Sequence, residues 1–288
     1  MSRHPAARRR STGLVAATVA AVVVLVLATG CAGDAGATGD SAASTTASTT
    51  ASASSASKVP GADLVGRYAH YDVVAYESAD MKTLIVSFGF TDLDVVDGKL
   101  VAQESFCHAD HRSDQPITTT ISDEATSAIQ PVPATVDVTT VDGTTRLHRP
   151  ETPTGVGIDL AHPADPLPTD PNDPRIVDDD GDGHPGITVH IVLNADVSGD
   201  LYLARRERFA YDLEANDDGS LTGTVEDHSE QLLIGASSDL FLTQAPWVQV
   251  ADRSKSPIIL RPVDRDWDCD RLMAARDDLF PPTPSVDW

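Results

Sequence analysis

From residue 66 onward the chain alternates short β-branched and aromatic runs with polar breaks, and a helical period is sustained only near its end. The runs at 66–76, 83–96, 99–106, 116–121, 134–141, 187–193, 200–211, 220–226 and 257–263 are rich in Val, Ile, Thr, Tyr and Phe, a strand composition. Between them Asp97-Gly98, Asp142-Gly143 and Asp218-Gly219 offer the positive φ angles of a two-residue hairpin, and Ser198-Gly199 marks a further turn. Consecutive hairpins predict an antiparallel meander. Leu201 and Leu203, followed by the charged stretch 205–208, predict one buried and one wet face. So many strands must hide their edges. The expected fold is all-β, a closed or nearly closed barrel first and a two-sheet sandwich second. One short C-terminal helix is expected, capped by Asp266, running through Leu272 to Leu279 and stopped by Pro281-Pro282.

Between the strand runs, residues 150–186 read as one long loop. Eight prolines there, Pro150 and Pro153 among them, predict that no ladder persists. A loop of this length inside a compact domain carries a function or needs a tie. Asp178-Asp179-Asp180-Gly181-Asp182-Gly183-His184 offers such a tie. Carboxylates at 178, 180 and 182 can curl around a hard cation, Gly183 permits the sharp turn, and the His184 carbonyl can turn inward. Structural calcium is therefore expected, with Asp170, Asp173, Asp165 or Asp159 as sources of missing ligands, Asp173 being the first choice. The segment resembles the D-x-D-x-D-G loops of EF-hands, dockerins and thrombospondin type 3 repeats. Val189 stands where an EF-hand has its bidentate glutamate and Pro185 blocks the exiting helix, so an EF-hand proper is excluded. An acidic solvated turn is the alternative.

Charge and composition place the domain. Arg3, Arg8, Arg9 and Arg10 precede an uncharged apolar run at 13–28 and then Thr29-Gly30-Cys31, the order of an export signal. Ala28-Thr29-Gly30-Cys31 resembles the lipobox of bacterial lipoproteins, which implies cleavage after residue 30 and a diacylated Cys31 on the outer face of a bacterial membrane. A plain anchor or a secretory signal cut elsewhere is the alternative, and the export route, general or twin-arginine, stays open. Residues 31–59 read as a disordered Ala/Ser/Thr-rich tether, its ends roughly 30 Å apart. A single β-rich domain is expected over 60–288. Loss of residues 1–30 would remove four arginines and no acid, leaving 17 basic against 44 acidic side chains, a net charge of −27. So acidic a body excludes nucleic acid and limits membrane contact to the lipid. Cys107 and Cys269 then remain as one disulfide candidate, two free thiols being the alternative.

Asp173-Pro174-Arg175, the stretch 178–189, Gly199-Asp200-Leu201-Tyr202, Glu230-Gln231, Gly235-Ala236-Ser237 and Trp267-Asp268-Cys269 together resemble a family of uncharacterised bacterial lipoproteins. That resemblance spans most of the body and implies no activity. No H-E-x-x-H, G-x-S-x-G, P-loop or dinucleotide fingerprint occurs, and no catalytic residue is assigned. Cys107-His108 with Asp110 and His111 is the nearest zinc-like cluster, and 226–230 the nearest acid, base and hydroxyl group. Both read better as ordinary polar turns. Two function classes stay open. One is a calcium-stabilised structural or binding module, whose barrel would take a small apolar ligand in its mouth as lipocalin-like proteins do, or a surface protein. The other is an extracytoplasmic hydrolase with structural calcium. Low aromatic content, 5%, favours the structural form.

Overall fold

The computed structural model describes residues 59–78, 81–242 and 247–288; the signal segment, Cys31 and the tether lie outside them. In chain order the elements are β1 (Gly66–Ser78), β2 (Met81–Val96), β3 (Lys99–Ser113), β4 (Thr118–Ile121), α1 (Asp123–Ala128), β5 (Ala134–Thr135), β6 (Asp137–Val141) and β7 (Thr144–Val156). They continue with β8 (Ile187–Asn194), β9 (Val197–Ala215), β10 (Leu221–Asp227), β11 (Glu230–Ala236), β12 (Val248–Gln249), β13 (Pro257–Val263) and α2 (Cys269–Leu279). Every pairing between them is antiparallel. Hydrogen bonding runs β9–β10–β13–β1–β2–β3–β4–β8 and returns to β9, which closes a barrel. The sandwich is thereby ruled out.

Two hairpins form as their sequences dictate. Asp97 and Gly98 adopt φ 50° and 76°, Asp142 and Gly143 adopt 52° and 85°, and in each case the flanking residues pair directly. Asp218-Gly219 differs, because only Gly219 is left-handed and the loop spans 216–220, closed by a bond from the Asn216 amide to the Ser220 carbonyl of 2.9 Å. Ser198-Gly199 is not a turn but lies inside β9, which pairs Ser198 with Val192 and Gly199 with Ile191; Asn194 and Val197 flank the actual two-residue turn. The ladder also reaches further than the prolines suggest. β7 carries Pro150 and Pro153 and still pairs with β9, the register breaking between Arg149 and Thr152 where Pro150 needs no partner. The long loop therefore begins after Val156 rather than at 150.

At nineteen residues β9 serves two levels of the barrel. Its first part pairs with β8 and β11, its second with β7 and β10. At the second level the interior is filled. Leu93, Leu100, Leu147, Leu213, Leu221 and Leu260 meet there, each no more than 2% exposed. On the outside, odd positions of β1 and even positions of β2 (Tyr71, Val73, Leu84, Val86) are covered by Leu272 and Phe280 from α2 and its end. Asp268, not Asp266, caps α2 by accepting from the Arg271 amide at 2.9 Å; Asp266 pairs with the Arg271 side chain. A second helix, α1, capped by Ser122 at the Ala125 amide, was not expected. Its Asp-Glu-Ala start after Ser122 is a capping signal too short to stand out against the neighbouring strands.

Candidate binding cavity and acidic loop

Above the leucine layer the barrel is hollow. A cavity of about 960 Å³ is bounded by inward positions of β1, β2, β3, β4, β7, β8, β9 and β10. This is the upper range of small-molecule sites. Because alternate residues of a strand share a face, the wall can be followed along β9. Leu201 and Leu203 line the cavity first, then Arg205 and Glu207, then Phe209 and Tyr211, before Leu213 joins the packed floor. The expectation that 205–208 forms a wet outer face fails for Arg205 and Glu207, which point inward. β8 adds Ile187, Val189, Ile191 and Leu193, and Ile117 just before β4 and Ile121 at its end add two more. Leu240, Trp247 and Val248 border the cavity while staying 59%, 37% and 60% exposed, and so mark its mouth.

The deep part is charged. Arg149 donates to Glu104 at 3.1 Å and to the Phe209 carbonyl at 2.6 Å, and the Tyr211 hydroxyl donates to Glu104. Across the barrel the Tyr76 hydroxyl donates to Asp227, which also accepts from the Ser229 amide at 2.7 Å and from its hydroxyl. His70 spans Asp72 at 2.9 Å and the Thr91 hydroxyl at 2.7 Å. Arg205 Nε stands 3.6 Å from Glu207, beyond hydrogen-bond length. Burial, opposed by Arg205 and reinforced by Asp227 and Asp72, lifts the Glu207 carboxyl to about 7. Burial, with Arg205 adding to it, lowers His111 to about 4 and keeps it neutral. Burial and their carboxylate partners hold Tyr76 and Tyr211 well above the phenol range.

A bulge in β3 decides which groups reach this interior. Phe88 pairs with His108 and Gly89 with Phe106, leaving Cys107 between them. Gly89 is needed there, since a side chain would run into the Ser105 carbonyl. The extra residue shifts the alternation, so that Glu104 and Phe106 before it and Ala109 and His111 after it all face inward. Cys107 turns to the helix side and lies at disulfide distance from Cys269, with Cα atoms 5.4 Å apart. His108 points out to Asp123 at 2.6 Å. The zinc-like cluster is thus divided between two faces. Residues 226–230 do not form a triad either: Ser229 bonds to Asp227, while His228 turns to Glu151 and Glu226.

Within the long loop, Asp178, Asp180 and Asp182 bring carboxylate oxygens within 4.8 Å of one another. Gly181 and Gly183, at φ 70° and 88°, make the curl possible. Asp178 accepts from the amides of Gly181, Asp182 and Gly183; Asp182 accepts from the His184 amide and the Thr188 hydroxyl; Asp180 accepts from the Thr188 amide. The second oxygen of Asp180 is buried without a partner. Asp173 is not among these residues. Both of its oxygens are held by Arg175, at 2.9 and 3.1 Å. The His184 ring stacks on Tyr202 at 4.4 Å. Protein ties also fix the loop: an Ile158–Ile176 bridge, the Gly157 amide donating to Asp179, and Arg206 reaching the carbonyls of Ala164 and Asp165.

Fold and site together define a hollow eight-stranded antiparallel barrel with a charged layer above a packed floor. Comparison of the chain with known family models, curated proteins and solved structures finds no match.

Proposed function

We propose that this chain is an extracytoplasmic lipoprotein, held at a membrane through Cys31, whose barrel binds a small amphipathic molecule. The observation that carries this reading is the buried charge lining the cavity. Arg149 and Glu104 are 3% and 2% exposed. Ionised groups removed from water cost several kcal/mol each, and an apolar substitute of similar volume is often as stable or more so. A barrel needed only as a structural block would be better filled with leucine, as its floor is. Charges at a cavity wall are where ligand sites are found. Hydrolysis is not favoured, because Ser229 and His228 diverge. The test is uptake of the neutral apolar fluorophore N-phenyl-1-naphthylamine. Its emission should rise with the unaltered protein and not with Ile191→Trp, which fills the apolar wall; a probe that stays dark with both sinks the reading.

We further infer that the loop at Asp178, Asp180 and Asp182 takes calcium as a structural ion, with the His184 carbonyl as a further donor. Support comes from the three converging carboxylates, the two left-handed glycines and the unpartnered oxygen of Asp180. Affinity would be that of extracellular modules, on the order of 10⁻⁴ to 10⁻³ M.

A further inference from the structure

The barrel's inner charges do not balance. Asp72, Glu104, Glu207 and Asp227 line the deep part of the cavity against the guanidiniums of Arg149 and Arg205; Arg112 and Glu230, which also border it, are half-exposed and paired with Asp110 and Arg206. Arg149 is committed to Glu104, and Asp227 is served by Tyr76 and Ser229. One oxygen of Asp72 is engaged by His70. Among the described residues the cation beside Glu207, 8% exposed, is Arg205, too far for a hydrogen bond. The deep layer therefore holds an excess of carboxyl over guanidinium groups, with the oxygens of Glu207 and one oxygen of Asp72 unengaged. Immediately along the same face of β9 come Leu203 and Leu201, with Val189 and Ile187 beside them on β8.

We propose that the ligand is an amphipathic cation, an organic amine whose ammonium seats against Glu207 in the field of Asp72 and Asp227 and whose apolar body lies along β8 and the start of β9. The proposal rests on the binding reading above. An ammonium brings three donors and no acceptor, which matches the unengaged oxygens of Glu207 and Asp72. It also supplies the positive charge that a low-dielectric site with excess anions lacks. Arg149 Nε and Arg205 Nε are donors without a partner, and an anionic head would suit them. Both atoms are, however, shut off from the cavity by surrounding protein, so a ligand does not reach them.

The experiment titrates the full-length protein by calorimetry with 4-phenylbutylamine, 4-phenylbutanol and 4-phenylbutyrate, one apolar body under three heads, at physiological salt so that the acidic exterior is screened. The amine should bind at least tenfold more tightly than the alcohol, and the butyrate more weakly than either. Glu207→Gln should bring the amine to within about threefold of the alcohol and leave the alcohol unchanged; Asp278→Asn, an exposed acid on α2, should change none of the three. An alcohol or butyrate that matches the amine, or an amine affinity indifferent to Glu207→Gln, overturns the cation and leaves the binding barrel standing. If no probe binds, the binding reading itself fails. The ranking of heads on the unaltered protein decides the matter even if Glu207→Gln does not fold.

Discussion

The two halves of the barrel are built from the same strands and share the same inside-outside alternation, yet one is a core and the other a chamber. Along β9 the inward positions change from Leu213 and Tyr211 at the floor to Glu207, Arg205 and Leu203 at the chamber, and the alternation of β9 itself runs through although its partners β7 and β11 are bulged against it. The difference lies in what faces each residue. Six leucines from six strands meet at the floor and exclude water completely. In the chamber a charged layer and a ring of isoleucine, valine and leucine stand apart. Strand geometry sets the direction of a side chain, and the sum of opposing volumes decides whether it meets a partner.

The comparison breaks most severely where one member of a buried pair is removed. Arg149→Met strands the Glu104 carboxylate and should cost about 3–5 kcal/mol in denaturant unfolding, whereas Glu104→Leu with Arg149→Met together should be neutral or stabilising. A double variant as damaged as the single would show that the pair supports the fold rather than a ligand. Next comes the floor: Leu213→Ala should cost about 2–5 kcal/mol, since close-packed neighbours cannot collapse into the gap. Ile191→Ala, at the chamber wall, should stay below about 1 kcal/mol in the same measurement.

Calcium lies outside this contrast and sharpens it by testing the loop that joins β7 to β8. At a hundred times its Kd the ion should add roughly 2.7 kcal/mol and raise the melting midpoint by roughly 5 to 10 °C. Asp180→Ala or Asp182→Ala should remove most of that gain, and magnesium should do less. A midpoint indifferent to calcium and chelator would leave the loop to its protein ties alone. A further effect is pH-dependent. Burial holds the Glu207 carboxyl at about 7 against an ordinary value of 4.5, so folding favours its protonated form. That stabilisation is complete below 4.5 and is lost as pH rises through 7. Glu207→Gln should therefore gain stability relative to the parent between pH 5 and pH 8, on the order of 2 kcal/mol, read as a difference in melting curves. A difference constant across that window would mean that Glu207 is solvated.

Much of the barrel was legible because strand composition and turn chemistry are local. Asp97-Gly98 and Asp142-Gly143 place their hairpins without tertiary help. Pro150 and Pro153 misled because a proline forbids only one bond of a ladder, and a bulge there absorbs the loss. The chamber was not legible. Arg205 and Glu207 read as solvent-facing because charge usually means water, and the alternation begun by Leu201 and Leu203 was the one available signal that they continue inward. Asp173 read as a ligand by proximity in sequence, although Arg175 two residues on is its partner. The pairing of Cys107 with α2 depends on a bulge created by Gly89, a contact of separate strands that no single segment announces.

Closure of the ring has a consequence for how the molecule comes into being. β1 waits for β13, and residues 67–72 find 258–263 only when nearly the whole domain exists. Contacts so distant in sequence form slowly, because a long loop must close before they reward it. Until Pro257 to Val263 arrives, β1 and β10 each keep a bare hydrogen-bonding edge, the kind on which chains associate wrongly. A polypeptide cut short before Pro257 would retain every cavity residue except Ile258 and still have no chamber, only a curled sheet with two open seams.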